Sequence, residues 1–151
     1  MKRGLLLSLA VILISLELSA QSFSKAADDA YLITHMVQKF HFQPRAVNNR
    51  FSSDVLNKFF KSLDGQRIFF MQEDIRSLSK YKYLLDDHVK NKATDFLAAV
   101  YPIYQKRLLQ AQAMMDMVGK TPVNLYSSEK FTAAEDTTWP VNAAAQKNKI
   151  A

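Results

Sequence analysis

The residues from Phe51 to Ile75, FSSDVLNKFFKSLDGQRIFFMQEDI, constrain the fold of this chain more than any other stretch. Their first half predicts a helix. Ser52 or Ser53 is expected to cap this helix, because a serine oxygen accepts hydrogen bonds from first-turn N–H groups. Gly65 is expected to end it in the left-handed conformation, which costs glycine little. The apolar side chains that recur at helical spacing and form its predicted buried stripe are Val55, Leu56, Phe59, Phe60 and Leu63.

The second half of the same stretch predicts a short extended segment followed by another helix. Residues 68–70 are too few to form a helix and too apolar for an exposed loop, so we expect them to be buried. The next helix is expected to run from Gln72 to about Val89, and Asn91 and Lys92 mark its break. Its predicted apolar face comprises Ile75, Leu78, Leu85 and Val89.

An earlier helix is predicted from Ser24 to Phe40. A loop at 41–51 follows it, since Pro44 disfavours helical angles in the residue before it. The apolar residues of this helix recur at steps of three and four, which indicates one buried face. The expected buried stripe comprises Ala30, Ile33, Val37 and Phe40.

The longest predicted helix runs from Ala93 to Val118. Its apolar residues alternate in steps of three and four, which predicts packing within an antiparallel bundle. We expect a kink near Ala98–Pro102, because proline removes one backbone hydrogen bond, and we expect Gly119 and Pro122 to end the helix. The predicted seam comprises Leu97, Tyr101, Tyr104, Leu108, Ala111, Met115 and Val118.

The composition favours an all-α fold in one domain. Hydrophobic residues make up 48% of the 151 residues and charged residues 23%, which is typical of a globular chain. Only 3 glycines and 4 prolines interrupt it, so long helices are favoured. We expect an irregular bundle of about four helices at 21–119. Residues 120–151 are predicted to form a long extended connector, held by Trp139 and Pro140, and a truncated last helix capped by Asn142.

Residues 1–20 have the features of a signal peptide. Two basic residues precede an apolar stretch, Leu5 to Leu16, that is too short to cross a bilayer comfortably. We expect cleavage after Ala20; cleavage after Ala26 and an uncleaved anchor are the alternatives. The protein is therefore expected to be exported, with no stable membrane span after cleavage.

No pattern in the chain predicts catalysis or metal binding. There is no cysteine, which excludes disulfides and thiolate catalysis. His35 and His41 are six residues apart, so one helix cannot present both to a metal, and the Asp-Asp-His run at 86–88 is a weak metal cue. Glu73 and Asp74 are expected to diverge on their helix and so not to form an acid–base pair. We assign no catalytic, cofactor-binding or metal-binding residue and expect no cofactor.

The basic, aromatic and methionine residues each allow a structural and a binding interpretation. The formal net charge is +6, but no run of basic residues exceeds two, so we expect no nucleic-acid partner. The phenylalanines could line a peptide groove, but their spacing favours the core. The methionines could form an adaptable surface, but filling gaps in the core is favoured. These aromatic and methionine residues are Phe51, Phe59, Phe60, Phe69, Phe70, Met114, Met115 and Met117.

Four landmarks occur in a fixed order along the chain. They are HFQPR at 41–45, FSxxVLxxFFxxLDxxRIFFxxEDI at 51–75, YQKRLLQAQ at 104–112 and WPVNAAA at 139–145. Together they resemble the N-terminal region of the tail-specific proteases, also called C-terminal processing peptidases. The resemblance runs from about Ala30 to Ala145.

The resemblance implies that family members continue into a PDZ domain and a serine/lysine peptidase domain, which this chain is expected to lack. It therefore implies a chain that is not an enzyme by itself. Its implied role is a helical module that positions those domains and docks partners, such as an envelope adaptor or a protein substrate. The intact protease would process exported proteins from their C-termini, and the chain is expected in the periplasm or cell envelope of a bacterium. An alternative is a free-standing helical protein-binding domain of the cell envelope.

Overall fold

A computed structural model of the protein describes residues 22–120 and 138–150. These residues contain six α-helices and no strand, which confirms the predicted all-α fold. The expected signal peptide and most of the expected connector, 121–137, lie outside the described residues. The helices are α1 at 22–40, α2 Asn49–Leu63, α3 Gln72–Leu78, α4 Leu85–Asn91, α5 Asp95–Gly119 and α6 Ala143–Ile150.

The chain divides into two compact units. In the described residues, unit 1 comprises 22–54 and 81–98, and unit 2 comprises 55–80, 99–120 and 138–150. Unit 1 therefore holds α1, α4 and the first turns of α2 and α5. Unit 2 holds α3, α6 and the larger parts of α2 and α5, and each unit has buried side chains of its own.

Helix α1 packs through a different face from the predicted one. Ile33, Val37 and Phe40 of the predicted buried stripe are exposed, whereas Ala27 is buried. The prediction of that stripe is wrong because helical spacing identifies an apolar face without showing whether another element covers it. The covered face carries Ala27 with partly buried Phe23 and Tyr31, four residues to either side.

Helix α2 begins at Asn49, so the loop predicted to extend to residue 51 is shorter. Asn48 caps the helix, since its Oδ1 accepts hydrogen bonds from the N–H groups two and three residues later, at 3.0 and 3.2 Å. The prediction of Ser52 or Ser53 as the cap is therefore wrong. The predicted apolar stripe of α2 is confirmed, because none of its five residues is exposed.

The turn after α2 corrects the prediction for its glycine. Helix α2 ends at Leu63, but Gly65 is not in the left-handed region; Arg67 is, with a φ of 55°. A Cβ at Gly65 would lie 3.1 Å from the carbonyl oxygen of Lys61, so close approach favours glycine here. The N–H of Arg67 donates to the carbonyl of Asp64 at 3.0 Å, which closes the turn.

The region predicted as one helix after this turn is two helices, α3 and α4. A 3-10 turn at Ser79–Tyr81 follows α3 directly. Tyr81 is buried, and its ring centroid lies 5.6 Å from that of His88 and 5.4 Å from that of Phe96. This ring packing stabilises the turn, so the helical period does not continue. The break expected after α4 is confirmed, since Lys92 has a φ of 55°.

Helix α5 confirms the longest predicted element but not its packing face. Tyr101, Leu108 and Met115 of the predicted seam are exposed. Phe96, Val100 and Arg107 are buried, each one position before a predicted seam residue, whereas Ala111 is buried as predicted. The offset arises because a hydropathy pattern counts Arg107 as a surface residue, whereas it occupies a core position. Pro102 lies inside the unbroken helix, and the kink near it stays a prediction.

Unit 2 has an aromatic core. Phe70 is fully buried, and its ring centroid lies 5.3 Å from that of Phe60, 5.5 Å from Tyr104 and 6.1 Å from Trp139. The core interpretation of the central phenylalanines is therefore confirmed for Phe60 and Phe70. The prediction that the methionines near the end of α5 fill gaps in the core is wrong for Met115 and Met117, which are exposed.

Candidate functional site

Three residues between α2 and α3, Ile68, Phe69 and Phe70, form a non-helical segment that we call the strap. Asp64, which is 2% exposed, accepts a hydrogen bond from each of their N–H groups, at 2.7 Å for Ile68 and 2.9 Å for the two phenylalanines. A buried carboxylate is costly unless donors compensate it, and three N–H groups do so here. The strap is thus fixed by the residue that directly follows α2.

The carbonyl groups of the strap are bound from α6. Gln146 is 0% exposed, and its side-chain amide donates to the carbonyls of Ile68 at 2.8 Å and Phe69 at 3.1 Å. Asn142 caps α6 as predicted, since its Oδ1 accepts from the N–H of Ala145 at 2.9 Å. Sequence reasoning missed Gln146; its only signal is a lone amide after three alanines at the start of a helix.

The predicted anchor of the tail, Trp139 and Pro140, is confirmed. The Trp139 ring centroid lies 6.1 Å from that of Phe70, and the guanidinium of Arg67 lies 5.4 Å from the indole. Pro140 is buried, and its carbonyl accepts from the N–H of Gln72 at 3.0 Å. The residues around α6 are therefore part of unit 2 and pack on both the strap and α3.

A buried ion cluster joins α3 to α5. The Arg107 guanidinium is 3% exposed and donates to both carboxylate oxygens of Asp74, at 2.7 and 2.9 Å, and to Glu73 and Gln110. Asp74 Oδ2 also accepts the N–H of Met71 at 2.8 Å, at the start of α3. The hydrogen bonds that Arg107 donates to Asp74 raise the pKa of Arg107 above its ordinary value, so the guanidinium stays charged.

The expectation that Glu73 and Asp74 diverge is wrong, because one long arginine side chain reaches both carboxylates. Each carboxylate is an acceptor in an ion pair. Two-point binding of a carboxylate by a guanidinium fixes the relative position of the groups that carry them. The cluster is therefore suited to holding α3 against α5, and sequence reasoning missed Arg107 as its centre.

A second buried contact lies in unit 1. Ser52 Oγ donates to Asp86 Oδ1 at 2.6 Å and accepts from the N–H of Asp86 at 2.7 Å. It thereby caps α4 from α2, since Leu84 at the cap position makes no side-chain hydrogen bond. Hydrogen bonds from Lys90, at 2.7 Å, and from Ser52 lower the pKa of Asp86 below its ordinary value. The carboxylate is therefore ionised at neutral pH.

The Asp-Asp-His run at 86–88 does not converge on a metal site. The Asp86 carboxylate binds Ser52 and Lys90, while the His88 ring packs against Tyr81. Within residues 22–120 and 138–150, no three histidine or acidic side chains cluster in a way that would hold a metal ion. The geometry of this run is that of a capped helix start.

Unit 1 also has a shallow cleft of about 190 Å³, which Tyr31, His35 and Lys90 help to line. The ammonium of Lys90 already binds Asp86 at 2.7 Å and Asp87 at 3.4 Å. The rings of Tyr31 and His35 stack on each other at 5.9 Å. The charged and aromatic groups at the cleft are therefore engaged with neighbouring residues.

The exposed face of α1 is the remaining candidate surface of unit 1. Its large apolar side chains recur at helical spacing, so they lie side by side. In the part of the chain that the structure describes, every helix falls short of the length and apolarity needed to cross a membrane. We call this surface the α1 stripe, which comprises Leu32, Ile33, Met36, Val37 and Phe40.

Comparison with known proteins identifies the family of the chain. A search among curated proteins finds no match. The family model described as the tail specific protease N-terminal domain matches residues 33–151, which is most of the chain and includes residues of both units. This match agrees with the resemblance of the four landmarks in the sequence. The chain therefore belongs to the tail specific protease N-terminal domain family.

Proposed function

We propose that the chain is a non-catalytic module of an exported tail-specific protease. In this role it positions the PDZ and peptidase domains of the protease and docks protein partners such as an envelope adaptor or a substrate. The observation that carries the proposal is the family match over residues 33–151, which spans helices of both units. The parent protease would cleave exported proteins from their C-termini.

The serine contacts of the described residues support a non-catalytic role. Serine peptidase chemistry requires a hydroxyl beside a base that takes its proton. Here the hydroxyl of Ser52 donates to Asp86, that of Ser77 to the carbonyl of Asp74 and that of Ser79 to the carbonyl of Arg76. These hydroxyls cap and brace helices, so the nucleophile of the protease is expected in its peptidase domain.

The buried polar contacts of unit 2 support a positioning role. Asp64 and Gln146 bind the strap, and Arg107 binds α3, across separations of up to 78 residues along the chain. Each of these groups makes hydrogen bonds that another arrangement would break, so together they favour one arrangement. A module held in one arrangement is suited to supporting other domains.

A free-standing helical binding protein of the cell envelope is the second candidate. The observation that favours it is the docking of the α6 region on unit 2, where Trp139 and Gln146 pack on the strap. Gln146 donates its hydrogen bonds to carbonyls of the strap, so these bonds form without a further domain. Binding to a separate peptidase region distinguishes the two candidates.

Residues 21–151 are expected to have no peptidase activity of their own. The physical reason is that the hydroxyls of Ser52, Ser77 and Ser79 donate to carbonyl and carboxylate acceptors, and none of these three donates to a neutral lysine. The measurement is cleavage of an unstructured peptide with an apolar C-terminus, followed by mass spectrometry. Cleavage that one Ser→Ala change in this chain abolishes would contradict the proposal.

A further inference from the structure

The α1 stripe continues into the residues after α1. Phe42 is 94% exposed, Phe40 73% and Ile33 62%. The stripe from residue 32 to 40 extends about 12 Å along the helix at 1.5 Å per residue. Contiguous apolar patches on soluble proteins usually mark a binding surface. The α1 stripe and Phe42 therefore form one apolar surface that requires an apolar partner.

Positive charge borders this surface. The sequence from residue 30 to 53 contains no aspartate or glutamate and three basic residues, Lys39, Arg45 and Arg50. All three are exposed, and they have no acidic partner among the described residues. The ammonium of Lys39 lies 5.5 Å from the ring centroid of Phe40, directly beside the stripe. Apolar and cationic groups thus occupy one surface.

The acidic residues at the start of α1 do not cancel this charge. Asp29 binds Lys25 at 2.7 Å, and Asp28 binds Lys92 at 2.8 Å. Each aspartate is therefore neutralised by a lysine of its own. The cations that follow the stripe remain uncompensated, so the surface is complementary to a partner that is both apolar and anionic.

We propose that the α1 stripe, with Phe42, docks unit 1 on an anionic lipid surface. A helix with an apolar face lies in the plane of the membrane interface, where its apolar side chains enter the acyl boundary. Lysine and arginine beside it are attracted to anionic headgroups. Lipid supplies hydrocarbon and negative charge within each molecule, whereas nucleic acid offers no hydrocarbon to Leu32, Ile33 or Val37. This docking does not depend on the proposed protease function.

Vesicle sedimentation tests the proposal. Residues 21–151, the form expected after leader removal and the one that contains every described helix, are mixed with vesicles of phosphatidylethanolamine and phosphatidylglycerol or of phosphatidylcholine alone. We expect the protein to bind the anionic vesicles. Its affinity for neutral vesicles is expected to be lower, by about fivefold for each cation that contacts the anionic headgroups. Added salt is expected to weaken the binding, because it screens the charges.

Apolar variants locate the contact. The double variant Phe40→Ser/Phe42→Ser is expected to lower the vesicle partition coefficient at least about tenfold, because it removes two side chains from hydrocarbon. The matched control is Leu109→Ser/Val141→Ser, which changes two apolar residues that are also largely exposed but lie in unit 2. The control is expected to bind as the unchanged chain does. Circular dichroism shows whether each variant is folded.

Charge variants test whether the cations beside the α1 stripe contribute to vesicle binding. Lys39→Gln/Arg45→Gln is expected to lower binding about fivefold for each cation removed. Lys58→Gln/Lys106→Gln, at exposed positions of unit 2, has the same net charge and is expected to leave binding unchanged. Equal losses in the two variants would show that only net charge matters, which would overturn docking through the α1 stripe.

The absence of cysteine permits a direct insertion measurement. Phe42→Cys is labelled with an environment-sensitive dye, and its emission is expected to shift to the blue when anionic vesicles are added. The same dye at Leu109→Cys is expected to show no shift. No shift at residue 42, or equal shifts at both, would overturn the proposal. So would a dimer formed without lipid and abolished by Phe40→Ser/Phe42→Ser, since a second copy would then cover the stripe.

Discussion

Replacement of Arg107 by alanine is expected to lower the free energy of unfolding by about 3–5 kcal/mol, the usual cost of breaking a buried ion pair. Arg107 is 3% exposed and binds both oxygens of Asp74, which is itself buried. Its removal leaves the Asp74 carboxylate without its counter-charge in the core. Urea unfolding followed by circular dichroism measures the change.

Two further variants identify the cause of this loss. The neighbouring Lys106→Ala, at an exposed position of the same helix, is expected to change stability little. Arg107→Met/Asp74→Asn is expected to be more stable than Arg107→Ala, because no unpaired buried charge remains. An unfolding midpoint of Arg107→Ala equal to that of the unchanged chain would show that the cluster is not buried.

Replacement of Phe70 by alanine is expected to cost about 3–5 kcal/mol of unfolding free energy, the range for removing a large aromatic side chain from a core. Phe70 is 0% exposed and contacts the rings of Phe60, Tyr104 and Trp139. The cavity would therefore open where three parts of unit 2 meet. Chemical denaturation provides the measurement.

The matched control for this change is Phe42→Ala, because that phenylalanine is 94% exposed. It is expected to change the free energy of unfolding within about 0.5 kcal/mol, as surface substitutions usually do. Partly buried Phe69, next to Phe70, is expected to give an intermediate loss on replacement by alanine. Equal losses for Phe70→Ala and Phe42→Ala would contradict the aromatic core of unit 2.

The sequence predicted the elements whose signal is local. The stripe of α2, the non-helical strap and the length of α5 all follow from apolar spacing within a few residues of each other. The anchor at Trp139 follows from the size of one side chain. These predictions depend on which residues are apolar, and in α2 and the strap none of those residues is exposed.

The sequence did not predict the polar residues that organise the core. Ser52 binds a residue 34 positions away, Arg107 one 33 positions away and Gln146 one 78 positions away. A polar side chain is stable in the core only when its partner is present, and the partner is set by the fold. The predicted seam of α5 therefore includes the exposed Leu108 and omits the buried Arg107, and Ser52 was predicted to cap its own helix.

The sequence predicted which residues form the apolar face of α1, but it did not predict that this face is exposed. The apolar spacing of α1 identified Ile33, Val37 and Phe40 as one face, which the structure leaves exposed. Periodicity reports that such a face exists, and it does not distinguish a partner within the fold from a partner outside it. The exposure of this face makes that distinction, and the absence of acidic side chains from residues 30–53 favours an anionic partner.

Complex formation with the remainder of a protease tests the proposed positioning role most directly. Residues 21–151 are mixed with a separately produced PDZ–peptidase region from a tail-specific protease of the same organism, and sedimentation velocity reports association. Domains joined in one chain meet at an effective concentration of about 1 mM, so the mixture is studied up to that range. We predict a one-to-one complex that degrades a folded protein with an apolar C-terminus faster than the peptidase region does alone. Two folded proteins that sediment independently throughout this range, with no change in cleavage, would contradict the role.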